Sequence, residues 1–165
     1  MTHVVVLADT HLRRGSRRRL PDDAYAHLAT ADLILHAGDI LVADVLDELA
    51  GFAPVRAVLG NNDVEMTGLL AEEVRLDVDG VRVGMVHDSG QAAGRGRRMR
   101  RRFPDADVVV FGHSHIPWDA EGVDGQLLFN PGSPTERRRQ PVPTLGTLDL
   151  DCGRVIAHRI HPLEP

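Results

Sequence analysis

His3-Val4-Val5-Val6-Leu7-Ala8-Asp9-Thr10-His11 is the segment from which the fold can be predicted. Residues 3–8 form an unbroken β-prone stretch, which is typical of a strand that is buried on both faces. Two residues with metal-binding side chains, Asp9 and His11, follow this stretch directly. The segment therefore predicts a buried strand that carries chemically active groups at its carboxyl end.

The same arrangement recurs along the first half of the chain. Leu33-Ile34-Leu35 predicts a second buried strand that leads to Asp39, and residues 55–59 predict a third that leads to Asn61. Helices are predicted near residues 21–29 and 41–50. This alternation of strands and helices favours a parallel sheet.

The second half of the chain predicts a second sheet. Residues 73–78 and 81–86 form a predicted hairpin around Asp79-Gly80 that leads to His87. An arginine-rich helix over residues 91–103 and a strand over residues 108–111 then lead to His113 and His115. Further strands are predicted at residues 127–130, 144–150 and 154–160. These strands and helices indicate an α/β fold with two sheets packed face to face and helices outside.

Seven side chains at these strand ends can bind metal ions: Asp9, His11, Asp39, Asn61, His87, His113 and His115. In an extended segment, residues i and i+2 point to the same side, so Asp9 can act with His11, and His113 with His115. Because ligands bind in the crevice at the carboxyl ends of parallel strands, we expect the seven side chains to converge there. A mixed set of imidazole and oxygen ligands suits Mn, Fe or Zn ions.

The charges of this set favour two cations and an anionic substrate. Two divalent cations would outweigh the carboxylates Asp9 and Asp39 and leave a positive centre. Such a centre can activate a bridging water, and ions about 4 Å apart can clamp both sides of a displacement at phosphorus. The sequence therefore predicts a dinuclear metallohydrolase.

Length and composition indicate an ordinary globular protein. The 165 residues, of which 42% are hydrophobic and 26% charged, predict one domain over residues 1–165. Cys152 is the only cysteine, so we expect neither a disulfide nor a thiolate metal site. We find no leader segment and no apolar run of about 18 residues, and therefore expect a soluble cytoplasmic protein.

The basic residues are distributed unevenly. All 19 are arginine, and many of them lie in three runs at residues 17–19, 97–102 and 137–139. The net charge of -5 argues against a general nucleic-acid binder. Each run is either a solvated or interface surface, or a site for a polyanionic substrate, because arginine forks match phosphate oxygens.

The motif order D-x-H, G-D, G-N-x-D, H and G-H-x-H, from Asp9 to His115, resembles the calcineurin-like metallophosphoesterases, in particular their small prokaryotic phosphodiesterase branch. Asn130-Pro131-Gly132-Ser133 is similar to a segment common in that branch. The resemblance implies a four-layer α/β/β/α sandwich with two mixed sheets. It also implies two sets of metal ligands that share Asp39, namely Asp9, His11, Asp39 and His115 for one ion, and Asp39, Asn61, His87 and His113 for the other.

Two positions depart from the family pattern. Many members have a histidine after the motif asparagine, paired with the next aspartate, whereas this chain has Asn62 followed by Asp63. We predict both as catalytic residues, although asparagine has no proton to give at neutral pH. We therefore expect a preference for diesters or anhydrides with good leaving groups. Asp88, where the family often has glycine, either orients an imidazole or caps the following helix.

Several functions are compatible with these motifs. The leading hypothesis is a phosphodiesterase of small diesters that uses two divalent cations, with Mn²⁺ preferred over Fe, Zn or Ni. The alternatives are a phosphomonoesterase or nucleotide pyrophosphatase at the same site, and a non-catalytic scaffold similar to the retromer subunit that shares this fold. The complete ligand set argues against the scaffold.

The expected partner is a small-molecule phosphoester, with no membrane and with nucleic acid disfavoured. A homo-oligomer could form through the arginine-rich helix or the last hairpin. Two further residues have two interpretations each: His36 packs beneath the metals or is an ordinary buried histidine, and Trp118 lines the substrate cleft or packs in the core.

Overall fold

The strand that leads to Asp9 lies at the centre of one of two five-stranded sheets. The computed structural model describes residues 1–164, so the predicted domain end at residue 165 lies outside the described part. Within this part the strands are β1 (Thr2–Leu7), β2 (Leu33–His36), β3 (Val55–Ala57), β4 (Glu73–Val78), β5 (Val81–Val86), β6 (Val108–Val110), β7 (Trp118–Glu121), β8 (Leu127–Asn130), β9 (Thr144–Asp151) and β10 (Arg154–Pro162). The helices are α1 (Asp22–Leu28), α2 (Ala43–Ala50) and α3 (Arg95–Arg102), with 3-10 turns at Val64–Met66 and Val123–Gly125.

Both sheets are mixed, and each contains three adjacent parallel strands. The first sheet has the order β10-β9-β1-β2-β3, in which β1, β2 and β3 are parallel. The second has the order β4-β5-β6-β8-β7, in which β5, β6 and β8 are parallel. The remaining strands pair antiparallel with their neighbours. The predicted parallel arrangement is therefore confirmed.

The alternation of side chains along β1 explains the layers. Val4 and Val6 face the second sheet and belong to the core between the sheets. Val5 and Leu7 point the other way, towards a second core that includes residues of α1 and α2. On the far side of the second sheet, Met99 of α3 packs into a third core. The predicted four-layer sandwich is confirmed.

Among residues 1–164, none of the helices has the length and hydropathy that a membrane span requires.

The main differences from the prediction are an additional strand and a later helix start. β7 was not predicted as a strand, because this edge strand is mostly exposed and lacks the apolar pattern of the buried strands. The arginine-rich helix begins at Arg95, not at residue 91. Gly94, which precedes it, is left-handed at φ 72°, and this conformation prevents the helix from extending further back.

Candidate metal centre

The predicted ligands lie where the parallel strands of both sheets end. Asp9, Asp39 and Asn61 follow β1, β2 and β3 of the first sheet. His87 and His113 follow β5 and β6 of the second sheet. The two sheets thus contribute facing groups of loops to one crevice, as the position of ligand sites in α/β folds predicts.

The backbone at the centre is not extended, so the extended geometry predicted for the D-x-H and H-x-H pairs was wrong, although Asp9 and His11 do present their side chains to one site. Five of the ten non-glycine residues with positive φ within the described part are predicted ligands: Asp9, His11, Asp39, His113 and His115. A positive φ is sterically costly for such residues, and strain of this kind clusters at functional sites. The side chains converge because the loops turn sharply after the strands, and not because of a strand pleat.

Glycine makes this close approach of loops feasible. Gly38 is left-handed at φ 92°, and a Cβ atom there would lie 2.7 Å from His87 Nδ1. At Gly60 a Cβ atom would lie 2.1 Å from the backbone nitrogen of Asp39. Neither position can accept a larger residue without separating the loops that carry the predicted ligands.

One group of ligand atoms surrounds Asp9. Asp9, His11 and His115 each offer an atom within 4.8 Å of the others. His115 Nδ1 donates to the carbonyl oxygen of Glu136, which leaves Nε2 free to face Asp9 Oδ1 at 3.5 Å. His11 Nε2 lies 3.3 Å from Asp39 Oδ2.

A second group surrounds Asn61. Asn61 Oδ1 lies 3.0 Å from His87 Nε2 and 3.1 Å from His113 Nδ1. His87 Nδ1 donates to the carbonyl oxygen of Ala37 over 2.7 Å, so its Nε2 faces the centre. Asp39 Oδ2 lies 3.4 Å from His87 Nε2, which places this carboxylate between the two groups.

Unpaired buried atoms show that these residues fit a cation. Both carboxylate oxygens of Asp9 and the Nε2 atoms of His11 and His115 are buried without a hydrogen-bond partner among the described residues. Burial of ionisable groups without partners is costly, and proteins normally avoid it. A divalent ion would satisfy all of these atoms together, and the mixed donor set suits Mn, Fe or Zn.

The electrostatics of the ion-free centre follow from burial. Burial raises the pKa of Asp9 to about 7. Burial also acts to raise the pKa of Asp39, but contacts with His87 and hydrogen bonds from Asn62 outweigh it and hold that pKa below its ordinary value. Burial lowers the pKa of His11 and of His115, which keeps both imidazoles in the neutral form that binds metal.

Asp63 and Asn62 have different contacts. Asp63 is 1% exposed, and its two oxygens accept four backbone N–H groups, from Asp39, Ile40, Leu41 and Gly60, over 2.7 to 2.9 Å. This carboxylate therefore ties the loop after β2 to the loop after β3. Asn62 is exposed and donates from its side chain to Asp39 Oδ2 over 2.8 Å.

His36 supports the ligand-bearing loops from the interior of the protein. His36 is fully buried, with Nε2 3.1 Å from Thr10 Oγ1 and with Nδ1 accepting from the Gly38 amide. Burial lowers the pKa of His36 to about 3, so it stays neutral. The structure therefore places His36 beneath the centre, which was one of its two interpretations.

The loop after β8 contributes contacts that the sequence did not predict. Ser133 Oγ donates to the carbonyl oxygen of Asp9 over 2.7 Å, and Thr135 Oγ1 donates to that of Thr10 over 2.6 Å. The similarity of the Asn130-Pro131-Gly132-Ser133 segment was the available sequence signal. No pattern in the sequence pointed to Thr135 or to the Glu136 carbonyl group that orients His115.

Neither Asp88 nor Trp118 belongs to the two groups of ligand atoms. Asp88 accepts from the Gly90 amide over 2.7 Å and lies 4.0 Å from His113 Nε2. It does not cap α3, which begins seven residues later, so the capping interpretation was wrong. Trp118 packs under the guanidinium group of Arg95 at 4.6 Å, in agreement with the packing interpretation.

Two clefts open beside the centre. A cleft of about 500 Å³ lies against His87 and His113 and extends past Asp88 and Glu72. We call it the long cleft. A second cleft of about 290 Å³, which we call the arginine cleft, is lined by His11, Arg13, Ser16, Arg18 and Glu136.

Comparisons with known proteins agree with the fold and the motifs. A model of the calcineurin-like phosphoesterase superfamily domain matches residues 1–153. A probable metallophosphoesterase from Methanothermobacter thermautotrophicus is 34% identical over 165 residues, which cover 97% of this chain and 92% of the relative.

Solved structures share the fold. Vps29 from Entamoeba histolytica, crystallised with zinc, superposes with a TM-score of 0.78 at 24% identity over 98% of both chains. A structure described as a novel archaeal phosphodiesterase gives a TM-score of 0.72 at 22% identity over 98% of this chain and 99% of the other. These two likenesses establish the fold, and the match over residues 1–153 together with the archaeal relative establishes the family. This protein belongs to the calcineurin-like phosphoesterase superfamily.

Proposed function

We propose that this protein is a phosphodiesterase that hydrolyses small phosphodiesters with two divalent cations, preferably Mn²⁺. The observation that carries this proposal is the convergence of buried, unpartnered ligand atoms from both sheets around Asp9. In a chain of this superfamily, such a set is best explained by metal-dependent phosphoester chemistry.

The ligand groups described above divide between two ions. Asp9, His11 and His115 would hold one ion, Asn61, His87 and His113 would hold the other, and Asp39 would contribute to both. When bound, the ions supply Lewis-acid activation of water and of the phosphoryl oxygens. The contacts of His87 with Ala37 and of His115 with Glu136 fix the ring orientations, so the ligand nitrogens are positioned before any ion binds.

The two clefts support a diester over a monoester. A phosphodiester has a substituent on each side of phosphorus, and this centre has one cleft beside His87 and His113 and another beside His11. A phosphomonoester would occupy only one of these clefts.

Asn62 is the proposed contact to the substrate. Its exposed amide lies beside Asp39 and can donate to a phosphoryl oxygen, but it cannot protonate a leaving group. Asp63 acts through its backbone contacts and positions the loops. We therefore expect good leaving groups to be preferred.

The test begins with protein stripped by chelator and reloaded with Mn²⁺. Hydrolysis of bis-p-nitrophenyl phosphate is compared with that of p-nitrophenyl phosphate, and bound metal is counted by mass spectrometry. We expect about two ions per chain and faster cleavage of the diester. His113→Ala should lower activity roughly 10²-fold and bind fewer ions, whereas His158→Ala, which alters an exposed histidine outside the centre, should keep both activity and metal.

The other outcomes identify the alternatives. Faster cleavage of the monoester would indicate a phosphomonoesterase, and cleavage of nucleoside diphosphate or dinucleotide anhydrides alone would indicate a nucleotide pyrophosphatase. Two bound ions without turnover of any of these compounds would favour a scaffold, a function compatible with the fold shared with Vps29.

A further inference from the structure

The arginine cleft carries positive charge that the proposed reaction does not use. Of its charged residues, Glu136 is already shared, with Oε2 3.6 Å from His11 Nδ1 and 3.7 Å from Arg18. Arg13 is exposed and has no carboxylate within 4 Å among residues 1–164. The cleft therefore has a guanidinium group that is open to a ligand, and a second group whose pairing with Glu136 is loose.

A third arginine, Arg138, contributes further positive charge. Arg138 lies two residues after Glu136, is exposed and has a left-handed backbone at φ 51°. This arginine thus adds positive charge to the loop that carries Glu136, a residue of the arginine cleft. No ion pair occupies it within the described part of the chain.

The long cleft has the opposite character. Glu72 and Asp88 line it, and neither pairs with an arginine within residues 1–164. Arg102 also reaches this cleft, where its Nε donates to Glu73 over 2.7 Å, a carboxylate that it shares with Arg75. The long cleft thus has the carboxylates of Glu72 and Asp88 and one arginine, whereas the arginine cleft has two arginines and one carboxylate, so an anionic group is better accommodated in the arginine cleft.

We propose that the arginine cleft binds a second phosphate group, so that the substrate is a phosphodiester that carries an additional phosphate on one arm. This inference rests on the proposed function, because it assigns one arm of the diester to each cleft. Guanidinium forks match phosphate oxygens with paired, charge-assisted hydrogen bonds, and Arg13 and Arg18 both line the cleft that shares His11 with the metal centre. The uncharged arm lies in the long cleft.

A matched pair of substrates tests this assignment. Thymidine 5′-(p-nitrophenyl phosphate) and the same compound with a 3′-phosphate both release p-nitrophenolate and differ only in the second phosphate. With Mn²⁺-loaded protein we expect kcat/KM to be about tenfold higher or more for the phosphorylated compound, a typical contribution of charge-assisted hydrogen bonds. The ratio should fall as salt concentration rises, because the cleft is open to solvent.

Variants then locate the preference. The Arg13→Gln, Arg18→Gln double variant should bring the ratio of the two kcat/KM values close to one. Arg101→Gln, an exposed arginine on α3 that lines neither cleft, should leave the ratio as in the unchanged protein. If the double variant does not fold, Arg13→Gln alone is sufficient, and it should lower the ratio at least threefold.

Two results would overturn the inference in distinguishable ways. Equal rates for the two compounds, or a preference that survives in the arginine variants, would contradict the second-phosphate site while leaving the phosphodiesterase intact. No release of p-nitrophenolate from either compound or from bis-p-nitrophenyl phosphate, with two ions bound, would reject the proposed function and this inference with it.

Discussion

The two sheets contribute to the centre in different ways. The first sheet supplies Asp9, Asp39 and Asp63, each at most 2% exposed. The second supplies His87, His113 and His115, of which His87 and His115 are buried and His113 is half-buried. The side chain of His113 lies against Asn61, the His87 ring and, more distantly, Asp88. The carboxylates are thus part of the folded framework, whereas His113 lies at the edge of the second side. This difference predicts that changes at the carboxylates affect folding and metal binding together, and that a change at His113 affects metal binding alone.

Substitution of one residue on each side should give the largest contrast in activity. Asp39→Ala removes the carboxylate that lies between both ligand groups, so we expect kcat/KM for bis-p-nitrophenyl phosphate to fall roughly 10⁴-fold, as for other essential groups. His113→Ala removes a ligand from one group only and should cost roughly 10²-fold. Steady-state kinetics with metal analysis checks this, and equal losses in the two variants would contradict the contrast.

The pH dependence of folding should reveal the buried carboxylate. In the metal-free protein the pKa of Asp9 is raised from 3.8 to about 7, so the folded chain keeps a proton that the unfolded chain has released. The contribution of this group to stability is complete below about pH 4 and is lost as pH rises to about 7. Asp9→Asn should therefore gain stability relative to the unchanged protein over this range, by up to roughly 4 kcal/mol.

Urea unfolding in the presence of chelator at a series of pH values measures this difference. The charges of Asp9 and His87 each act on the pKa of the other, so the measured difference reports the behaviour of this pair. A difference in unfolding free energy that does not change between pH 4 and pH 7 would show that Asp9 is not a buried, high-pKa group.

Loss of the charge on Asp63 should weaken the framework side without touching a predicted ligand. Asp63→Asn replaces an oxygen that accepts backbone N–H groups with an amide that cannot accept them, so we expect about 3 kcal/mol lower unfolding free energy. Chemical unfolding of the metal-free protein checks this. Asp88→Asn, at an exposed carboxylate of the other side, is the matched control and should stay within about 0.5 kcal/mol.

The smallest expected effect concerns the missing proton donor. Asn62→His would place a proton donor beside the carboxylate of Asp39. It should increase the rate of hydrolysis of diesters with alkyl leaving groups about tenfold, which is less than an optimally placed acid provides. Rates for p-nitrophenyl esters should hardly change. A plot of rate against leaving-group pKa for both proteins is the measurement, and parallel lines would mean that another group already donates the proton.

The sequence predicted what depends on local pattern. The apolar run before Asp9 predicted a strand buried on both faces, and the strand ends predicted which side chains meet. The structure brings the predicted metal ligands together, while their role as ligands, the cytoplasmic location and any homo-oligomer remain predictions. β7 was not predicted, because an exposed edge strand has few apolar residues and therefore lacks the pattern of a buried strand.

Backbone conformation and distant partners could not be predicted. The left-handed φ of His11 and His115 arises from loop packing, which no side-chain pattern records. The four amide groups around Asp63 come from two separate loops, so its anchoring role becomes visible only when β2 and β3 lie side by side. The pairing of His115 with the Glu136 carbonyl group depends on a loop with no regular structure.

The hydrogen bond from Ser133 to the Asp9 carbonyl group joins residues 124 positions apart, and His87 reaches across to Ala37 in the other sheet. Contacts between residues so far apart in the chain carry a large entropic cost of loop closure, which the rest of the fold must offset. The proposed centre would therefore exist only in completed molecules, and an ion bound there would cross-link the two sheets and favour the folded state by mass action. Metal supply would then control how long each molecule survives unfolding and proteolysis, in addition to how fast it works.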